Sequence, residues 1–137
     1  MPDNFTLRAD NQSSKRRLIR LLPEEGHPIR IDLMGKNFIE VNIATDISLR
    51  GVGIDVAHGF EGYNLADKIE ILILLPIPVS YTISATVRIV HIRDSFFGAE
   101  FERLERKDYK KLHAYIASRL LGESLKIRLL HQLRYFS

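Results

Sequence analysis

Cysteine is absent from this 137-residue sequence. Its absence excludes a disulfide framework, a thiol nucleophile, a zinc–thiolate site and an iron–sulfur cluster. A chain without cysteine fits a reducing compartment, so a cytoplasmic location is expected.

Long apolar segments are missing as well. The longest apolar run, 71–79, has nine residues and contains two prolines, whereas a membrane-spanning helix needs about 20 apolar residues. The amino terminus carries Asp3 and Asp10 and has no apolar stretch behind its basic residues, unlike a secretory signal. We therefore expect no membrane span, and we expect the mature protein to be the whole chain.

The familiar motifs of catalysis are also missing. There is no GxSxG elbow and no HExxH pair, and no two of the five histidines have the i, i+4 spacing of a helical metal site. Gly51-Val52-Gly53 lacks the third glycine of a dinucleotide-binding loop. The sequence therefore predicts a protein that is not an enzyme and that holds neither a metal nor another cofactor.

The charge is distributed unevenly along the chain. Residues 1–20 hold five bases and two acids, residues 21–101 six bases and eleven acids, and residues 102–137 nine bases and four acids. Two basic ends thus flank an acidic body, which indicates an anionic ligand or partner held at the ends. With 45% apolar and 27% charged residues, the composition is that of one globular domain.

The middle of the chain alternates polar and apolar residues with the period of β-strands. Turn residues such as Gly35-Lys36-Asn37 and Asp94-Ser95 separate the alternating runs, and no helical pattern lies between them. The predicted strands are 27–33, 38–43, 52–56, 68–75, 80–93 and 96–101. Six strands with short turns predict a mainly β fold, an antiparallel barrel or a sandwich.

The two ends do not share this pattern. Residues 1–26 are basic with little periodicity and are interpreted as an arm. Apolar residues from Tyr109 to Leu120 recur at intervals of three and four, which predicts a helix with Gly122 as a candidate stop, and a second apolar stripe follows over 123–136. One broken helix or two helices are therefore expected after the strands.

Two motifs stand out for binding. Arg16 and Arg20 form RxxxR, and Asp46-Ile47-Ser48-Leu49-Arg50-Gly51 forms [DN]xSxxG. The composition predicts about one RxxxR by chance but only about 0.05 matches to the second pattern. The second motif is therefore the more specific of the two.

These residue types suit a ligand that carries phosphate and guanine together. The planar fork of arginine pairs with phosphate oxygens or with guanine O6 and N7. The Asp46 carboxylate can accept from guanine N–H groups, Ser48 can donate to a phosphate, and Gly51 allows a turn with positive φ. Together with Asp46, the four bases of the arm give a local charge of +3 that suits a small dianion; these bases are Lys15, Arg16, Arg17 and Arg20.

At these residues the sequence resembles the PilZ family of bacterial cyclic di-GMP receptors. The resemblance implies one domain with a mobile arm at 1–26, a six-stranded antiparallel barrel of Greek-key type at about 27–104, and a helical segment at 105–136. Gly98-Ala99-Glu100-Phe101 also resembles the closing strand of the family. The implied function is a second-messenger receptor whose arm changes conformation on ligand binding and signals to an unidentified protein partner, in control of motility, biofilm or exopolysaccharide.

The resemblance also assigns ligand contacts. It implies that Arg16 and Arg20 clamp phosphates and guanine edges, and that Asp46, Ser48 and Gly51 complete the site. By the same resemblance, His91 can stack on the ligand and Arg93 can pair with it. Lys15, which precedes RxxxR, leaves open whether one ligand or an intercalated pair binds. The chain itself is expected to be a monomer or a weak dimer.

Structural alternatives exist for each of these features. The arginine cluster also fits a solvated arm, the second motif a plain hairpin turn, and His91 a buried or rim residue. The basic, leucine-rich carboxy-terminal segment favours a second function, a ligand-independent adaptor that acts through protein contacts of its helix. Nucleic acid is not expected as a partner because the acidic barrel would repel its phosphates.

Overall fold

The computed structural model describes residues 4–5, 19–35, 39–56 and 62–135. These residues form seven strands and one helix: β1 (Asn4–Phe5), β2 (Arg30–Met34), β3 (Ile39–Ile47), β4 (Gly51–Asp55), β5 (Lys68–Leu75), β6 (Tyr81–Arg93), β7 (Phe96–Glu105) and α1 (Arg106–Tyr135). The predicted mainly β fold is confirmed.

The strands form a closed antiparallel barrel. Their order is β1-β7-β4-β3-β2-β5-β6, and β6 also pairs with β7, which closes a ring of the six strands β2 to β7. The strands β2, β3 and β4 follow one another as hairpins, and β5 returns to lie beside β2. This is the Greek-key connection. The two-residue β1 extends the sheet beside the end of β7.

Branched aliphatic side chains fill the barrel. Strand alternation places one side chain in two inside, and the interior positions of β2, β5 and β6 are almost all Ile, Leu or Val. The largest fully buried aliphatic side chains are Ile29, Ile31, Leu33, Ile47, Ile54, Ile71, Ile73, Ile83, Ile89 and Leu104. Leu112, Tyr115 and Ile116 of α1 join the same core, so the helix is packed against the barrel.

Helix α1 starts directly after β7 and is held there by Asp108. Its buried carboxylate lies in the first helical turn, where a negative charge suits the helix dipole. It accepts a hydrogen bond of 2.7 Å from the Tyr81 hydroxyl and a longer one of 3.4 Å from the backbone N–H of Ser84. The hydrogen bond between Tyr81 and Asp108, followed in size by burial, raises the pKa of Tyr81.

The helix continues through Gly122 to Tyr135. The prediction of a stop or break at Gly122 is therefore wrong. A glycine inside a helix costs only about 1 kcal/mol relative to alanine, and Leu120 and Leu121 before it are good helix formers.

In the first half of β3 the apolar side chains point away from the barrel interior instead of into it. Ile39, Val41 and Ile43 are 58%, 56% and 51% exposed, whereas Asn42 between them is buried. The alternation predicted the strand correctly, but period two does not say which parity points inward. A β-bulge between Ala44 and Asp46 then shifts the register, so that Ile47 returns to the core.

Candidate functional site

A pocket of about 270 Å³ lies over strands β3, β4, β7 and β6, beside the segment that carries Arg20. Its lining residues are Arg20, Asp46, Ser48, Arg50, Gly51, Val52, Gly53, Val90, His91, Phe96, Gly98, Ala99 and Glu100. Five of the residues predicted to bind a ligand are among them. The structure therefore brings together Arg20, Asp46, Ser48, Gly51 and His91.

One row of paired residues crosses the floor of this pocket. Asp46 pairs with Gly53, Gly53 pairs with Gly98, and Gly98 pairs with His91. Neighbouring strands lie about 4.8 Å apart, so the row spans roughly 14 Å. Side chains stand at its two ends and the two glycines between them have none. The Phe96 ring and the Asp46 carboxylate cover Gly53, at 2.8 and 3.0 Å from its Cβ position, whereas only the Cβ of His91 lies within 4 Å of that position at Gly98. The open part of the row is therefore at Gly98.

Two β-bulges create this row. In β3 the register shifts between Ala44 and Asp46, and in β6 it shifts between Ile89 and His91. Without a shift, His91 would share the inward parity of Ile89, as the sequence alternative of a buried histidine assumed. The bulge instead leaves His91 exposed, with its ring 6.0 Å from that of Phe96. Bulges commonly re-aim side chains in this way next to binding sites.

The glycines of β4 are required by close approach. A Cβ on Gly51 would collide with the carbonyl oxygen of Ala99, and a Cβ on Gly53 would lie 2.8 Å from the Phe96 ring and 3.0 Å from the Asp46 carboxylate. Gly51 was predicted to supply a turn with positive φ. This reason is wrong, because the residues with positive φ in the described part of the chain do not include Gly51. The glycine lets β4 and β7 lie close together.

Ser48 shapes the hairpin that joins β3 and β4. Its buried hydroxyl oxygen accepts hydrogen bonds from the backbone N–H groups of Arg50, at 3.1 Å, and of Gly51, at 3.3 Å. The Ser48 N–H donates to the Gly51 carbonyl at 2.9 Å and closes the turn. Since the hydroxyl oxygen is used inside the turn, the O–H hydrogen is the part of Ser48 available to donate to a ligand.

Arg20 reaches the pocket because the residue after it is paired with the barrel. Leu21 exchanges two backbone hydrogen bonds with Ile47, of 2.8 and 2.9 Å, and its side chain is buried in the core. Residues 1–26 were interpreted as an arm, and in the structure the described end of that segment is attached to β3. Arg20 itself is exposed.

Arg50 and Glu100 are pocket residues that the sequence did not point to. The Arg50 Nε lies 3.5 Å from the Glu100 carboxylate. Arg50 occupies a variable position of [DN]xSxxG, and Glu100 lies on β7, so only strand pairing brings them together. With Arg20 and Asp46 they give the described lining two positive and two negative side chains. The positive excess predicted for the site therefore depends on the arm.

The structure does not assign the remaining four predicted contacts to the pocket lining: one is described elsewhere, and three are not among the described residues. Arg93 is exposed on β6 and pairs across the sheet with Phe96, but it is not among the lining residues. Lys15, Arg16 and Arg17 lie outside the described residues. The ligand contacts proposed for these four side chains stay predictions.

Neither a metal centre nor a membrane segment is found in the described part of the chain. Its His, Asp and Glu residues form no cluster of three or more that would hold a metal ion. Helix α1 is not apolar enough along its length to cross a bilayer.

Comparison with protein families decides the identity of the fold. The model of the PilZ domain family matches residues 10–118, which include both motifs. The chain belongs to the PilZ family. PilZ domains are effectors and not enzymes, so the prediction that the chain is not an enzyme is confirmed. A comparison with curated proteins gives no significant match.

Solved structures of PilZ proteins share the fold. The Bacillus subtilis inhibitor of motility, MotI/DgrA, superposes with a TM-score of 0.67 at 16% identity, over 78% of this chain and 52% of that one. Escherichia coli YcgR in complex with cyclic di-GMP superposes with a TM-score of 0.67 at 14% identity, over 85% of this chain and 50% of that one. This chain thus spans about half the length of those two proteins. The PilZ domain of YcgR with cyclic di-GMP gives 0.66 at 13% identity, over 83% and 97%.

Proposed function

We propose that this PilZ domain is a receptor for cyclic di-GMP. The observation that carries the proposal is the convergence of both motifs on one pocket: Arg20 of RxxxR and Asp46, Ser48 and Gly51 of [DN]xSxxG all line it. Family membership and the two solved YcgR structures that contain cyclic di-GMP support the choice of ligand.

The chemistry of the pocket fits the two parts of this ligand. A guanine base lies over Gly98, with its ring near His91 and its N–H groups toward the Asp46 carboxylate. Arg20 and the Ser48 hydroxyl donate to phosphate oxygens. The pocket volume of about 270 Å³ is below the ~300–1,000 Å³ typical of ligand sites, so a dinucleotide needs a second wall. In this proposal the second wall is the arm, with Lys15, Arg16 and Arg17.

Ligand binding then becomes a signal through the arm. The phosphates draw residues 15–17 onto the barrel beside Arg20, which already lines the pocket, and the changed surface engages or releases a protein partner in the cytoplasm. Limited trypsin digestion tests this step, because trypsin cleaves after Lys and Arg. Cyclic di-GMP should protect the bonds after residues 15–17 while cleavage at Lys110 and Lys111 is unchanged. Equal cleavage of the arm with and without ligand would contradict it.

The receptor function itself is tested by calorimetric titration with cyclic di-GMP, with GTP and cyclic GMP as control ligands. The wild-type protein should bind, and the Arg16→Ala/Arg20→Ala protein should bind much more weakly, since each bidentate arginine contact contributes about 1–3 kcal/mol. The titration also gives the stoichiometry, one ligand or an intercalated pair. Absence of heat at high ligand concentration would contradict the receptor function.

A second candidate function is an adaptor that works without ligand. It is favoured by α1, whose 30 residues extend over about 45 Å. Among the helix residues whose side chains the structure describes, 106–122, the last one in the barrel core is Ile116 and the last one packed against it is Leu120. Leu121 is 61% exposed. Partner capture that is equal with and without cyclic di-GMP, and that is lost when residues 121–137 are deleted, would favour the adaptor over the receptor.

A further inference from the structure

The pocket contains a carboxylate where an anionic ligand is proposed to bind. Glu100 on β7 lies between two arginines, with its oxygens 3.5 Å from the Arg50 Nε and 3.7 Å from an Arg88 terminal nitrogen. Arg50 and Glu100 both line the pocket, whereas Arg88 does not. The side chains of Arg50 and Glu100 are only 18% and 24% exposed, so solvent and salt screen the attraction between their charges only in part.

The contact between Arg50 and Glu100 is a poor one. A charge-assisted hydrogen bond is normally 2.7–2.9 Å long, and this pair is separated by 3.5 Å. The buried Nη2 of Arg50 has no hydrogen-bond partner among the described residues. The backbone of Arg50 is nevertheless fixed, since its carbonyl accepts from the Phe101 N–H at 2.8 Å. A guanidinium with unused donors is therefore held at the pocket wall.

Glu100 has a second cationic partner besides Arg50. Arg88 contacts both Glu100, at 3.7 Å, and Glu102, at 3.1 Å, and Glu102 also contacts Lys68 at 3.1 Å. If Glu100 moves away from Arg50, its charge stays compensated by Arg88. Arg50 can thus exchange one anion for another without leaving a carboxylate unpaired.

We propose that Glu100 sets the affinity of the pocket for its ligand by occupying Arg50 in the free protein. A ligand phosphate binds only when it displaces the Glu100 carboxylate from Arg50. Glu100 therefore weakens binding, and Arg50 is a further phosphate contact. This inference rests on the proposed receptor function and adds to it the residue that limits the affinity.

The test is a calorimetric titration with cyclic di-GMP of the wild-type protein, Glu100→Gln and Glu102→Gln. Glutamine keeps the size of the side chain and removes its charge. Glu102→Gln is the matched control: Glu102 lies two residues along the same face of β7 and also pairs with Arg88, but it does not line the pocket. Glu100→Gln should tighten binding roughly three- to tenfold, as expected for removal of a partly exposed charge pair. Glu102→Gln should change it less than about twofold.

The same titration in an Arg50→Gln background shows whether Glu100 acts through Arg50. Arg50→Gln should weaken binding by itself, and adding Glu100→Gln should then change the affinity by less than about twofold. A full effect of Glu100→Gln in that background would overturn the inference, because the carboxylate would then act by general repulsion. Circular dichroism and the melting temperature verify that each variant is folded.

Weaker binding by Glu100→Gln would also overturn the inference. If the Glu100 carboxylate accepted hydrogen bonds from guanine, Glu100→Gln would remove that contact. The variant would then bind the ligand less tightly than the wild-type protein. Equal affinity of the wild-type protein and Glu100→Gln refutes this inference and leaves the receptor function standing. Absence of binding by both proteins refutes the receptor function and this inference with it.

Discussion

Arg119 on α1 donates a hydrogen bond of 2.8 Å to the carbonyl oxygen of Leu22, two residues after Arg20. Its Nε also lies 3.2 Å from the Glu24 carboxylate, and a third nitrogen donates to the Tyr115 hydroxyl at 3.0 Å. Only 10% of the Arg119 side chain is exposed. One helical residue therefore connects the end of the arm with the helix.

Loss of this connection should weaken both folding and binding. Arg119→Ala should lower the free energy of unfolding by about 1–3 kcal/mol, because it removes a charged donor from the Leu22 carbonyl together with the contacts of a largely buried side chain to Glu24 and Tyr115. It should also weaken cyclic di-GMP binding, since the segment that places Arg20 is less well held. Chemical denaturation and titration measure the two effects. Lys110→Ala, at an exposed position of the same helix, is the control, and an equally small effect of both changes would contradict the connection.

Gly51 should be intolerant of a side chain for a steric reason. Gly51→Ala places a methyl group against the carbonyl of Ala99, and overpacking of this kind costs about 1–3 kcal/mol. Gly122→Ala is the matched control, since nothing lies within 4 Å of its Cβ position and alanine favours the helix. We expect a lower midpoint of urea denaturation for the first variant and a higher one for the second. Equal midpoints would show that β4 and β7 are farther apart than described.

The outward face of β3 gives a prediction about stability. Ile43→Ala should change the free energy of unfolding by less than about 0.5 kcal/mol, because the side chain is half exposed. Ile54→Ala, on the neighbouring strand and fully buried, should cost about 2–5 kcal/mol. Denaturation of the two variants measures the contrast. A large cost at Ile43 would mean that this face is covered in the folded protein.

The hydrogen bond between Tyr81 and Asp108 should make the free energy of unfolding fall as the pH becomes alkaline. Because the pKa of Tyr81 is raised in the folded protein, its contribution is fully present below the unfolded value of about 10 and is lost as the pH rises through the folded value. Tyr81→Phe should therefore be less stable than the wild-type protein near pH 8, and the difference should shrink above about pH 10. Urea denaturation at several pH values measures it. A difference that is constant with pH would contradict this assignment.

Local patterns were enough to predict the strands and part of the site. Period-two alternation marks a strand wherever one face is buried, and Asp94-Ser95 turns the chain between β6 and β7, with Asp94 at a φ of +53°. The motif [DN]xSxxG likewise predicted three pocket residues, because a hairpin brings its own residues together.

The rest depends on which strands pair and in what register. The two bulges that turn Asp46 and His91 outward are defined by partner strands, so the alternation of β6 alone favoured a buried or rim position for His91. The pairing of β4 with β7 is a contact between distant parts of the chain, and it alone brings Glu100 to Arg50. The inverted face of β3 is a property of the whole barrel, and its alternation looks the same whichever way it points.

The most direct test of the central claim is a map of amide chemical shifts in ¹⁵N-labelled protein during titration with cyclic di-GMP. We expect the largest shifts at Gly53, Gly98 and His91 on the pocket floor, and little change at Ile31 and Ile73 on β2 and β5. Shifts centred on β2 and β5, or on α1 alone, would contradict the claim that this pocket binds the ligand.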